Sequence, residues 1–395
     1  MKILIANLGS TSFKYKLFDL SISEKHLAEG SVDRIGLPES TWSFIAKCSE
    51  KNASGQAHFN SHSEAIDFHL QHLIEEGVVD NTGQIDAIGF KAVHGGPISG
   101  AVLVDDEVIK VMEDFSDVAP LHNPPYIQAM KAFRKKLPKT PQVASFETAF
   151  HQTIPQKRQV YAIPYEWTED LGIRRYGFHG ASHCYIGQRI KEIEDGLTKI
   201  INCHLGGSSS ICAIENGQSI ANSFGMTAQS GIPHAVRIGD FDTFSLLKLK
   251  AAGLDQDTIW KKLGKESGLL GMSGVSSDLR DIEKAAEQGN QRAELAVEVL
   301  VESIRFYIGS YLVALNGADA ICFTGGIGQF SSNIREKVLE NMDFAGIKLD
   351  LDKNREIDGK QENRIDQIDS KVQIWVIPTN EELIVARQTL TVLTH

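Results

Sequence analysis

The chain has no run of apolar residues long enough to span a membrane. It has five cysteines, Cys48, Cys184, Cys203, Cys212 and Cys322, and no C-x-x-C pair. That spacing offers no zinc ribbon or dithiol redox motif, and the odd, scattered set points to reduced thiols in a cytoplasmic protein. The first residues, "MKILIANLG", read as a strand and lack the basic, apolar and small-residue pattern of a secretory signal. There is no G-x-x-x-x-G-K-[ST] loop, since "LGKES" at 263–267 has the wrong context, and "GGIGQF" lacks the last glycine of a dinucleotide fingerprint. Basic residues are outnumbered, 40 Lys and Arg against 51 Asp and Glu, for a net charge of -11. This excludes a nucleic-acid or anionic-membrane partner, both of which require basic surface. An anionic substrate would have to be met by Lys and Arg gathered locally.

A chain of 395 residues is too long for one typical core and predicts two domains, with a boundary near 148–152. "KILIAN" reads as a buried strand, "GSTS" as its turn and "FKYKLFDL" as an alternating return strand. The design recurs half a chain later: "TKIINC", the turn "HLGGSSS", then "ICAIENG". A third unit, 318–342, reads as strand 319–323, glycine turn 324–328 and a helix from about Ser332. Helices are expected over 63–77, with Ser63 as N-cap and Gly77 as stop, and over 292–317. His58, His62, His69 and His72 cluster, but no cysteine or acidic set completes a metal site, so a helix face is the reading.

Main-chain N–H groups in a Gly/Ser turn converge on anions, hydroxyls add donors, and glycine admits a phosphate close to the backbone. Either turn alone is equally an ordinary polar hairpin. Their repetition, with the third glycine turn, favours two cradles gripping a polyphosphate from both sides.

Longer motifs carry a family resemblance from Lys2 to the C-terminal region: "NLGSTSFKY", "VHGGP", "APLHNPP", "FETAFHQTIP", "RRYGFHGASH", "CHLGGSSS", "SGLLGMSGVSSDLRDI", "NGADAICFTGGIG" and "VIPTNEE". In content and order they resemble the acetokinase family, that of the acetate kinases, within the sugar kinase, Hsp70 and actin superfamily. The resemblance implies an α/β fold of two duplicated ribonuclease H-like, actin-like ATPase domains around a nucleotide cleft. The N-terminal domain would be 1–148, with 381–395 packing back on it, and the nucleotide-binding and dimerisation domain 149–380. It implies reversible in-line transfer from ATP to acetate, giving acetyl phosphate and ADP, with Mg²⁺ or Mn²⁺ and a homodimer.

By the same resemblance Asn7, Ser10, Ser12 and Lys14 form the first phosphate loop, and His204, Leu205, Gly206, Gly207 and Ser208 the second. Asp278, Leu279 and Arg280, with Gly325, Gly326, Ile327 and Gly328, hold the adenosine. His179 and Arg237 meet the transferring phosphoryl group, Asn7 and Glu381 hold the metal, and Val93 and Leu121 line the pocket for the acid's methyl group. Four positions depart from the family's pattern: Lys91 replaces the substrate arginine, Glu147 the catalytic aspartate, Gly207-Ser208 an Asn-Gly pair, and Ala228 a pocket proline. Charge or polarity survives at most of these changes, as expected of a retuned kinase. They leave open a propionate or butyrate preference and, with Gln329-Phe330 near the adenosine site, pyrophosphate as donor. A third reading is a nucleotide sensor without turnover.

Overall fold

The computed structural model describes residues 1–47, 51–117, 119 and 122–394. The backbone forms two compact units, Met1–Gln152 with Asn380–His395, and Thr153–Thr379.

In the first unit β1 (Lys2–Gly9), β2 (Ser12–Asp19), β3 (Lys25–Asp33), β4 (Ser40–Ala46) and β5 (Lys51–Ala57) form an antiparallel run. On the other side of β1 lie β6 (Ala87–Ala92) and β8 (Gln142–Phe146), both parallel, with short β7 (Ala101–Leu103) at the edge. The order is β5-β4-β3-β2-β1-β6-β8-β7. In the second unit β9 (Lys199–His204), β10 (Ser210–Glu215) and β11 (Gln218–Asn222) are antiparallel. β12 (Ala320–Thr324) and β14 (Gln373–Val376) continue parallel to β9, and β13 (Asn363–Arg364) is the edge. Its order, β11-β10-β9-β12-β14-β13, repeats β3-β2-β1-β6-β8. The repeated hairpins are therefore the first two strands of one sheet plan built twice.

Each unit has its own core. In the first, Leu4, Ala6, Phe13, Tyr15, Phe90 and Phe133 are buried. In the second, Ile201, Ile211, Ile304, Ile321 and Phe323 are buried. Cys203, Cys212 and Cys322 are buried free thiols and Cys184 is half-buried; Cys48 lies outside the described residues.

Three expectations are corrected. The first helix is His62–Glu75, capped by Ser61 rather than Ser63. Ser61 Oγ accepts from the Glu64 amide while Glu64 Oε2 accepts from the Asn60 amide at 2.8 Å, a reciprocal cap that "SHSE" encodes three residues apart. Glycine-rich 325–330 is a short helix, Gly325–Phe330, ahead of a second one at Ser332–Leu339. The long helix runs Gln291–Leu315 and stops at Asn316 in the left-handed conformation. The histidines 62 and 69 are core-side residues: His62 Nε2 lies 3.0 Å from Gly9 O and His69 Nε2 3.2 Å from Ser31 O. Burial pushes His69 down to about 4.

The helix Glu381–Thr394 packs on β1, β6 and β8 of the first unit. Gly89, on β6, makes room: a Cβ there would stand 2.5 Å from Thr389 Oγ1 and 3.1 Å from Val385 Cγ1.

Candidate active site

In open α/β sheets the functional groups gather beyond the carboxyl ends of the parallel strands. Here Asn7 lies near the end of β1, Lys91 near the end of β6, and Glu147 directly after β8. Two residues beyond Gly89, Lys91 shares its face of β6 and reaches Glu381, the first residue of the C-terminal helix. Lys91 Nζ is hydrogen-bonded to Glu381 Oε2 and lies 3.6 Å from Glu147 Oε1. Burial disfavours the ammonium, but the carboxylates of Glu381 and Glu147 outweigh it and hold its pKa well above the ordinary lysine value.

Tyr126, fully buried, ties Asn7 to this group. Its hydroxyl donates to Asn7 Oδ1 at 3.1 Å and accepts from the Leu8 amide at 3.2 Å. Burial pushes the phenol up to about 12. Asn7 and Lys14 are register partners in the first hairpin and line one groove of about 250 Å³ with Lys16 and Glu382, which are themselves paired at 3.0 Å. Ser10 is exposed at the turn, and Ser12 Oγ would lie 2.6 Å from a Cβ on Gly9. Val93 packs against the core of this unit. Leu121 lies outside the described residues.

In the second unit His179 begins the Gly180–Ile193 helix in the left-handed conformation, φ 57°. Its ring lies 4.2 Å, centre to centre, from that of His204 at the end of β9. Behind them runs a chain of side chains. Asn202 Nδ2 is 2.8 Å from His183 Nδ1, His183 Nε2 is 2.8 Å from Ser210 Oγ, and Ser210 Oγ is 2.8 Å from His179 Nδ1. His204 Nδ1 is 2.8 Å from Ser182 Oγ.

The loop after β9, predicted to be the second phosphate loop, is pinned on both sides. Leu205 O accepts from the amides of Ile327 and Gly328, and Leu205 N donates to Thr324 O. Gly325 adopts φ +74°, and a Cβ there would meet Leu205 O at 2.5 Å. This is why the glycine stretch folds as a helix end against the loop. Ser209 N donates to His234 Nδ1 at 3.1 Å, and Ala235 N to Gly207 O at 3.0 Å. Ser208 precedes Ser209 in the same loop, half-buried. The turn that carries His234 also carries Arg237, whose Nη1 donates to Ala228 O at 2.7 Å. Gly268, φ +59°, backs this turn; a Cβ would lie 2.6 Å from Arg237 O. Burial lowers Arg237 to about 10, and burial followed by the Arg237 charge lowers His234 to about 3.

Asp278 caps the Leu279–Glu287 helix, accepting from Arg280 N at 2.9 Å and from its side-chain Nη2 at 2.5 Å. Those hydrogen bonds bring Asp278 down to about 2. Leu279 is buried, and Glu283 on the same helix accepts from Ser331 Oγ at 3.2 Å. A larger hollow of this unit, about 1020 Å³, is lined by Glu283, Glu287, Glu336 and Lys337 and holds none of the predicted residues.

Tyr126, His183, Asn202, Ser209, Ser210 and His234 were not among the predicted residues. Ser209 and Ser210 close the "HLGGSSS" turn that the sequence singled out, and His183 lies four residues after His179 in "GFHGASH"; Tyr126, Asn202 and His234 carried no such signal.

Two copies of one sheet plan, each with polar side chains at the carboxyl ends of its parallel strands, define a two-domain protein of the actin-like ATPase class. The chain belongs to the acetokinase family, whose profile matches residues 2–387. It is 46% identical over 399 residues to an acetate kinase of Clostridium botulinum (strain Okra / Type B1), covering 98% of both chains. It superimposes on the crystal structure of Porphyromonas gingivalis acetate kinase with TM-score 0.89, at 40% identity and 99% of each chain. The crystal structure of a propionate kinase from Francisella tularensis subsp. tularensis SCHU S4 gives TM-score 0.90 at 34% identity, again over 99% of each chain.

Proposed function

We propose that this protein transfers the γ-phosphoryl group of ATP to the carboxylate of acetate, forming acetyl phosphate and ADP, reversibly and by direct in-line attack. The near-full-length likeness to acetate kinases is the observation that carries this reading. A carboxylate is ionised at neutral pH and needs no base to attack phosphorus. The barrier is the meeting of anions, each pair of unit charges ~4 Å apart repelling by ~4 kcal/mol at an effective dielectric near 20. Catalysis is therefore charge neutralisation and alignment.

Lys91 faces the substrate carboxylate as a point charge rather than a two-toothed clamp. Val93, Leu121 and Ala228 are the positions that the family resemblance assigns to the acid's methyl group. Asn7, Ser10, Ser12 and Lys14, and residues 204–208, take phosphate oxygens, while 278–280 and 325–328 take the adenosine. His179 and Arg237 meet the transferring group.

The oxygen donors suit Mg²⁺ or Mn²⁺. Mg²⁺ uses one or two carboxylates and completes its shell with water and phosphate oxygens, and Glu381 and Glu147 flank a single buried cation, Lys91. Asn7 Oδ1 and Glu381 would hold the ion, with Glu147 beside them, and the ion would neutralise the phosphate oxygens. We further infer a cytoplasmic homodimer; Phe306 and Val313, exposed one heptad apart on the Gln291–Leu315 helix, support a self-association face.

A wider acid pocket is the second reading, favoured by Ala228 and by the propionate kinase likeness. Hydroxylamine trapping of acyl phosphate across formate, acetate, propionate and butyrate, with ATP or pyrophosphate and Mg²⁺, tests both. Acetate with ATP should give the highest kcat/KM. Propionate ahead of acetate would select the second reading. No hydroxamate with any acid and either donor would refute the kinase assignment and leave nucleotide sensing.

A further inference from the structure

The buried chain behind His179 has a direction. Asn202, His183 and Ser210 are all fully shielded from solvent. They lie together because the register pairs Ser210 with His204 and Cys212 with Asn202, placing Asn202 and Ser210 on the face of the sheet that the Gly180–Ile193 helix covers. On that face Gly187 rests against Ile214 at ordinary contact distance. Polar groups at such a depth are tolerated only when their hydrogen bonds are made.

A neutral imidazole has one N–H and one lone pair, and an amide NH2 only donates. His183 Nδ1, 2.8 Å from Asn202 Nδ2, is therefore an acceptor, and the His183 proton sits on Nε2. That proton goes to Ser210 Oγ. The Ser210 hydroxyl hydrogen is then directed to His179 Nδ1. His179 is left with its own proton on Nε2. Running the chain backwards would require the Asn202 amide to turn over. Of the buried polar atoms of Asn202, His183 and Ser210, Asn202 Oδ1 is the one without a hydrogen-bond partner among the described residues. Turning the amide would put two N–H donors in its place, and orphaned donors are rarer than under-satisfied carbonyl oxygens.

We propose that Asn202, His183 and Ser210 are positioning residues that lock the neutral His179 ring as its Nε2–H tautomer, so that it meets the transferring phosphoryl group as a hydrogen-bond donor. The inference rests on the reading that His179 contacts that group. The lock matters because the alternative tautomer would present a lone pair to phosphate oxygens.

Long-range ¹H–¹⁵N spectra of the histidine rings in the full-length protein, without substrates, read the tautomer directly. His179 and His183, assigned by single substitutions, should both show Nδ1 unprotonated and Nε2 protonated at neutral pH. Ser210→Ala should bring the His179 ring nitrogens toward the averaged shifts of a mixed population. Its kcat should fall by about tenfold, short of the ~10²–10³ that loss of a transition-state donor brings, with KM for acetate unchanged. Ser210→Thr, which keeps the hydroxyl, should restore both. A wild-type His179 ring protonated at Nδ1, or a Ser210→Ala protein with unaltered His179 shifts, overturns the lock. Full transfer activity in His179→Gln overturns instead the phosphoryl contact on which the inference rests.

Discussion

Replacing Lys91 by methionine keeps most of the side chain's bulk and removes its charge. Glu147 and Glu381, with side chains only 7% and 14% exposed, then lose the cation that lies beside both. At the observed 3.6 Å, one Lys91–Glu147 pair is worth about 4–5 kcal/mol at an effective dielectric near 20. Breaking a buried pair from one side typically costs about 3–5 kcal/mol, because a charge is left uncompensated. For a unit of this size that is a fall in Tm of roughly 6–20 °C.

The pH dependence separates charge from packing. Lys91 is held above its ordinary pKa, so its stabilisation is complete below the unfolded lysine value and fades only as pH climbs through the raised one. Between pH 5 and 9 it contributes a constant amount. In Lys91→Met the facing carboxylates repel, and their pKa values rise above the unfolded ones. Such a protein is most stable at low pH and weakens as pH rises through the raised values. The Tm gap to wild type, followed by calorimetry, should be widest at pH 7–8 and narrow toward pH 5. Mg²⁺ without nucleotide should stabilise Lys91→Met more than wild type, since it replaces the lost cation. A gap of the same size at every pH would mean that only the packing of the lysine stem was lost, and would refute the electrostatic argument.

Arg237→Ala should lower kcat by ~10³–10⁵ in the hydroxamate assay, as expected for an arginine acting on the transferring group. Its thermal unfolding should change little, because burial already disfavours the guanidinium. Tyr126→Phe removes the hydroxyl shared by Asn7 Oδ1 and the Leu8 amide. It should cost about 1–3 kcal/mol of stability, measured by urea unfolding, and raise the Mg²⁺ concentration for half-maximal activity. Lys91→Arg and Glu147→Asp should each reduce kcat/KM for acetate. Combined, they should recover part of the loss, with a coupling of about 0.5–3 kcal/mol in a double-mutant cycle.

Both hairpins were legible because each strand carries its own pattern: continuous apolar residues for β1 and β9, and a glycine-serine turn to end them. The Ser61 cap was written in the sequence too, in the glutamate three residues on, but Ser63 carries the same hydroxyl and competed with it. The helix at Gly325–Phe330 was not legible. Four of its first five residues have low or ordinary helix propensity, three of them glycine, and local preference favours a turn. What decides it is distant in sequence: Leu205 O collects the amides of Ile327 and Gly328. The Asn202–His183–Ser210 chain was hidden for the same reason. Its members sit on a helix and two strands, and only the β9–β10 register makes them neighbours.

The four departures from the family pattern also read differently once placed. Lys91 and Glu147 are not two independent substitutions, since the structure puts them 3.6 Å apart around one buried charge. A shorter, more flexible cation opposite a longer carboxylate conserves both the reach and the net charge of the pair. Gly207 lies in the loop that Ala235 N fastens to the Arg237 turn, and Ala228 supplies the carbonyl that Arg237 grips, through backbone atoms in both cases. Backbone contacts of this kind do not depend on the side chain that was exchanged. Of these positions, then, Lys91 and Glu147 are tied to each other, and Gly207 and Ala228 are held through the main chain, whereas the roles we propose for Asn7, His179, Arg237 and Glu381 rest on their side chains.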